Sequence, residues 1–199
     1  MPGTLSRHGR RSRAALDRRA LARSWGVIAA DQLLSPALPA YRDRRLFSMR
    51  PSLGRARALM HGEAGTASMP VPAGCDRCRE AAQVVRAGLA AIGIRVELRR
   101  VPDTGAAVSS GEGFDLVDLE ARILYPDSAS FLGALAGDLP AGWMAAGPRA
   151  AVRAASALAA YGIPGSAQLV GPRIGCRRFS SFGYGLDLAA ICLEGPDSM

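Results

Sequence analysis

Apolar residues recur along this chain with two different periods, and the clearest stretch runs from Cys78 to Val101. Ala81, Val84, Val85, Leu89 and Ile92 fall on one helical stripe. Gly93 is placed to close that helix with a positive φ, and Ile94-Arg95-Val96-Glu97-Leu98 then alternates as a strand does. Helix, glycine stop and strand make half of a βαβ unit. The first strand of the unit is therefore expected between Ala64 and Val71, where Pro70 and Pro72 restrict it to a weak or edge position.

The same reading places a helix over Ser12 to Ala22, with Leu16, Ala20 and Leu21 on one face between arginines. Prolines at 36, 39 and 51 impose an extended connector from Leu34 to Met49, and a second helix runs from Pro51 to about His61. Beyond Val101 the pattern gives a Gly/Ser-rich loop at 105–113 and a short buried strand over Phe114 to Leu119. A Tyr125-Pro126-Asp127 turn follows, then a helix capped by Ser128, an alanine-rich helix over Ala145 to Tyr161, and two tail strands, Arg173 to Phe179 and Leu186 to Leu193. Alternating helices and strands predict an α/β fold with a mixed sheet.

At 199 residues the chain can enclose a hydrophobic core, and it has no run of about 18 uncharged apolar residues of the kind that spans a bilayer. Its net charge of +8 is unevenly spread: residues 1–57 hold 13 Arg against Asp17, Asp31 and Asp43. Clustered arginines such as Arg7, Arg10, Arg11, Arg13, Arg18, Arg19 and Arg23 could neutralise phosphates. Few aromatics interleave with them and no zinc-finger, helix-turn-helix or RNP pattern follows, so nucleic acid is not the partner we expect. The apolar stretch from Trp25 to Ala30 is also too short for the core of a secretory signal, and as written the chain is expected to stay in the cytoplasm.

Chemistry-bearing residues are few. Cys75-Asp76-Arg77-Cys78 could be a redox dithiol, half of a zinc site or a local disulfide. Cys75 precedes a predicted helix, as a thioredoxin-like site requires, yet no proline follows either cysteine and the strand before them reads as poor. Cys176 and Cys192 are too far apart to complete a zinc site. The expectation is structural or free thiols, with Cys75–Cys78 and Cys176–Cys192 the natural disulfide candidates in an oxidising compartment. Asp115, Asp118 and Glu120 read as a solvated strand edge, and neither His8 nor His61 has a partner for general-base work. No catalytic residue, cofactor or metal site is expected.

Several segments, taken in order, resemble the bacterial extracellular solute-binding proteins of family five, the oligopeptide, dipeptide and nickel type that serve ABC importers. They are Leu16 to Ala22, Asp31 to Arg45, Arg55 to Leu59, Ala81 to Leu98, the Phe114-Asp115-Leu116 triplet, Tyr125 to Leu132 and the tail from Arg173 to Leu193. The resemblance implies a periplasmic-binding-protein-like fold of type II, with residues 51–199 an incomplete C-terminal lobe and residues 1–50 a basic, partly extended segment before it. It implies non-covalent capture of a peptide or similar small solute, an ABC permease as partner, an extracytoplasmic location, and a first lobe that this sequence does not contain. Tyr125 and Asp127 are the ligand-binding candidates. The aspartate that precedes the tyrosine in peptide-binding members, where it holds the ligand's amino group, is Leu124 here, which would remove a charge-assisted bond worth about 1.5–3 kcal/mol. A truncated remnant without function is the corollary considered beside that reading, and a cytoplasmic protein binding nucleic acid or an acidic partner through its basic arm is the alternative.

Overall fold

The structure is a computed structural model that describes residues 13–32, 34, 36, 41–118 and 159–163, together with strand backbone at 174–175 and 192–193. Helix α1 spans Arg18–Trp25, strand β1 Ile28–Ala29, helix α2 Leu53–Met60, strand β2 Gly65–Pro72, helix α3 Asp76–Ala90, strand β3 Ile94–Val101 and helix α4 Thr104–Ser109. Short strands β4 (Gly162–Ile163), β5 (Ile174–Gly175) and β6 (Cys192–Leu193) complete the described elements. Among the described residues no helix is long and apolar enough to cross a membrane.

The expected βαβ unit is present. β2 and β3 run parallel, with Gly65 opposite Ile94 and Pro72 opposite Val101, and α3 crosses between them. Gly93 turns the chain at φ 88°, a left-handed conformation that a side chain resists. Pro70 and Pro72 do not weaken the ladder, for a reason of parity. The Ser68 N–H donates to Asp115 and the Ser68 carbonyl accepts from the Asp115 and Leu116 amides, so Ser68 faces away from β3. Residues two and four further on face the same way. The two missing amides therefore belong to the edge that β3 does not use.

Three expectations are corrected here. Residues 114–118, the described part of the expected strand, do not form a regular strand; they lie beside β2 and bond to it around Ser68, where Asp115 Oδ2 also accepts from Ser68 Oγ at 2.8 Å. The loop at 105–113 begins as helix α4, because the Asp103 carboxylate accepts from the Ala106 amide at 2.7 Å and caps it. The mixed sheet is also not continuous among the described residues: one parallel pair and two antiparallel pairs, β1–β4 and β5–β6, stand as separate two-stranded pieces. The β5–β6 pair falls within the two expected tail strands.

Residues 13–15 are helical and α1 starts afresh at Arg18, since Asp17 accepts from the Ala20 amide at 2.9 Å and caps a new helix in place of the single one expected. α1 ends at Gly26, whose φ is 68°. The main core joins Ala15, Ala56, Met60, Met69, Ala82, Leu89, Ile92, Ile94 and Val96, so residues before Arg18 pack with α2, α3 and the β2–β3 pair. A second cluster sets Leu16 and Leu21 against Ala81, flanked by Trp25 and Tyr161. A third closes Val101, Ala107 and Phe114 under α4.

Candidate functional site

Asp118, expected on a solvated edge, is instead drawn inward between distant segments. Tyr161 Oη donates to Asp118 Oδ1 at 2.7 Å, and Trp25 Nε1 donates to Oδ2 at 3.1 Å. Burial of the carboxylate raises its pKa above the ordinary value of 3.8, while the two donors, Tyr161 first, pull it back down. This knot ties the end of α1 to the segment before β4. Its partners lie 93 and 43 residues away, which is why periodicity could not show it.

Arg18 makes a second knot. Only 1% of the side chain is exposed, and its guanidinium donates to the carbonyls of Ala160 (2.8 Å), Ser48 (2.9 Å) and Arg13 (3.1 Å). It also lies 4.9 Å from the centre of the Phe47 ring, with Arg13 at 5.3 Å from the same ring. Burial, and next the nearby Arg13 charge, push its pKa down to about 10, with Asp31 acting the other way. The group remains charged at neutral pH. The basic-arm reading counted Arg18 among residues free to meet phosphates; it is committed to three carbonyls instead.

A concavity of about 680 Å³ runs along β3, bounded by Arg86 and Ala90 of α3 and by the strand residues Arg95 and Glu97. All four are exposed, and among the described residues no strand pairs with the outer edge of β3. Charges of both signs on an open wall can hold a polar solute only loosely, because binding pockets enclose most of a ligand's surface.

Cys75 and Cys78 are joined by a disulfide at the start of α3. Cys75 is the N-cap, and its Sγ accepts from the Cys78 amide at 3.2 Å. The side chain of Cys192 and all of Cys176 lie outside the described residues, as do the ligand-binding candidates Tyr125 and Asp127. His61 is exposed at the left-handed end of α2, at φ 51°. No group of three His, Cys, Asp or Glu among the described residues is placed to hold a metal ion.

No protein-family model matches the sequence, and no curated protein matches it either. Solved structures do match. The clavulanic acid biosynthesis oligopeptide binding protein 2 superposes with a TM-score of 0.70 at 17% identity, covering 96% of this chain and 44% of its own. NikA from Staphylococcus aureus, in complex with Ni(L-His)2, gives 0.58 at 12% identity over 95% of this chain and 48% of its own. A peptide-binding protein of a peptide ABC transporter gives 0.53 at 17% identity, over 76% and 70%.

These are binding proteins of the peptide and nickel type, not enzymes, and this α/β chain has the fold of part of such a protein. It spans less than half the length of the first two.

Proposed function

We propose that the chain supplies one wall of the solute cleft in a substrate-binding component of an ABC-type importer, acting outside the cytoplasmic membrane by non-covalent capture of a peptide or similar solute and passing it to a permease. The observation that carries this reading is the fold likeness over 96% of the chain to an oligopeptide binding protein. The resemblance in sequence, from the helix-glycine-strand unit to the Tyr125-Pro126-Asp127 turn, points the same way. Residues 51–199 correspond in this reading to the C-terminal lobe, and Tyr125 and Asp127 contact the solute.

Hinged capture needs two opposed walls. One wall leaves a ligand half in water, so the chain by itself should bind weakly, at a Kd of about 1 mM, or roughly −4 kcal/mol. Amide chemical shifts of the labelled chain, followed while tripeptides are added, test this. A saturable, confined set of shifts that Tyr125→Ala and Asp127→Ala abolish is expected. Absence of any shift at ~10 mM peptide refutes solute capture, and micromolar binding by the chain alone refutes the single wall.

A further inference from the structure

We propose that Cys75 and Cys78 form a thiol–disulfide exchange site, with Cys75 the nucleophile and low-molecular-weight disulfides of the glutathione type the substrate. The strand before the pair, which looked poor in sequence, is the full eight-residue β2 in parallel register with β3. The chain leaves β2, turns at Gly74 with φ 78°, and presents Cys75 as the cap of a 15-residue helix. Strand, tight turn, Cys-x-x-Cys and helix in that order place a sulfur where the first helical amides have no carbonyl partner.

The Cys78 amide already points at Cys75 Sγ. Once the bond opens, that contact becomes charge-assisted on a thiolate, and the positive end of the helix dipole adds to it. Asp76, the nearby acid that would oppose a thiolate, is paired with Arg79 at 2.7 Å, and both side chains are exposed to the screening of water. Both sulfurs belong to partly exposed residues, so a small thiol can reach them. A staple is a poor account of the same bond. It joins residues three apart that the first helical turn already holds together, and so short a loop gives the least chain-entropy gain.

In the reduced protein the Cys75 thiolate attacks one sulfur of RSSR. The S–S bond of RSSR breaks, one RS⁻ leaves and takes a proton from water, and the mixed disulfide between Cys75 Sγ and the remaining RS group is left. Cys78, deprotonated to solvent, then attacks Cys75 Sγ and displaces the second RS⁻. Two cysteine thiols are oxidised by two electrons and one external disulfide is reduced to two thiols; excess external thiol drives the reverse.

The full chain, reduced and then alkylated across a pH series, tests the proposal. Trypsin cuts after Arg77, so the two cysteines fall on different peptides and are read separately by mass. Cys75 is expected to alkylate with a midpoint at least one unit below the ordinary thiol value of about 8.5, with the circular dichroism of the chain unchanged. Cys78→Ser treated with oxidised glutathione should retain one glutathione on Cys75, whereas the wild type retains none because Cys78 displaces it. A Cys75 midpoint at or above about 8.5, no adduct on Cys78→Ser, or loss of helix signal on reduction would each overturn it. None of these readouts depends on solute capture.

Discussion

Replacing Arg18 by methionine keeps the apolar stem of the side chain and removes its fork of donors. Three carbonyls, on Arg13, Ser48 and Ala160, then lose their partner at once. A buried acceptor left unsatisfied costs about 1–3 kcal/mol, and water reaches partly buried carbonyls, which favours the lower figure for each. The sum is about 3 kcal/mol. Against it stands the relief of a desolvated cation, whose cost shows in the lowered pKa of about 10. The net expectation is a loss of roughly 2 kcal/mol, a large share of the 5–15 kcal/mol that holds a domain together. Urea unfolding should show it as a midpoint lower by about 1 M at unchanged slope. Arg18→Lys should fall between, since one ammonium cannot reach three diverging carbonyls. A midpoint for Arg18→Met equal to or above the wild type would refute the reasoning, because it would mean that burying the charge costs more than its bonds return.

Asp118 gives a pH-dependent counterpart. Its folded pKa lies above the ordinary 3.8, so the native state holds a proton that the unfolded chain has released, and this residue's contribution to stability grows as pH falls from neutrality toward 3.8. Asp118→Asn should flatten that part of the stability profile, and Tyr161→Phe, which removes the stronger of the two opposing hydrogen bonds, should move the titration to higher pH. Superimposable profiles for wild type and Asp118→Asn would refute the assignment. Gly88→Ala should destabilise although alanine favours helices, since the added methyl carbon would sit 2.7 Å from the Ala15 carbonyl oxygen. A melting temperature lower by about 2–6 °C is expected, and an equal or higher one would show that the helix has room to move.

The parts of the fold legible in the sequence are those whose cause is local. The α3–Gly93–β3 unit follows from apolar spacing and one glycine, and it forms where expected. β2 was legible in position but not in quality, because a proline's effect depends on which edge its missing amide would face, and that depends on strand parity and on Asp115 far along the chain. Asp17 and Asp103 have the residue type of helix caps, yet neither stands out in the sequence: Asp17 sits inside what reads as one continuous helix, and the glycine and serine content around 105–113 obscures the helix that Asp103 starts. Asp118 and Arg18 were not legible. Each is defined by partners brought together only in the folded chain, and a carboxylate or guanidinium looks solvated until those partners are known. For Tyr125 and Asp127 the sequence supplied a family resemblance and nothing local, and these residues lie outside the described part of the structure.

The Arg18 guanidinium also imposes an order on the birth of the fold. Its Nε partner, the Ala160 carbonyl, lies 142 residues downstream. At about 5–20 residues per second, a ribosome needs on the order of ten seconds to make that stretch. Throughout that interval α1 emerges with a cation whose last acceptor has not yet been synthesised, so its final seat is among the latest contacts to close during translation.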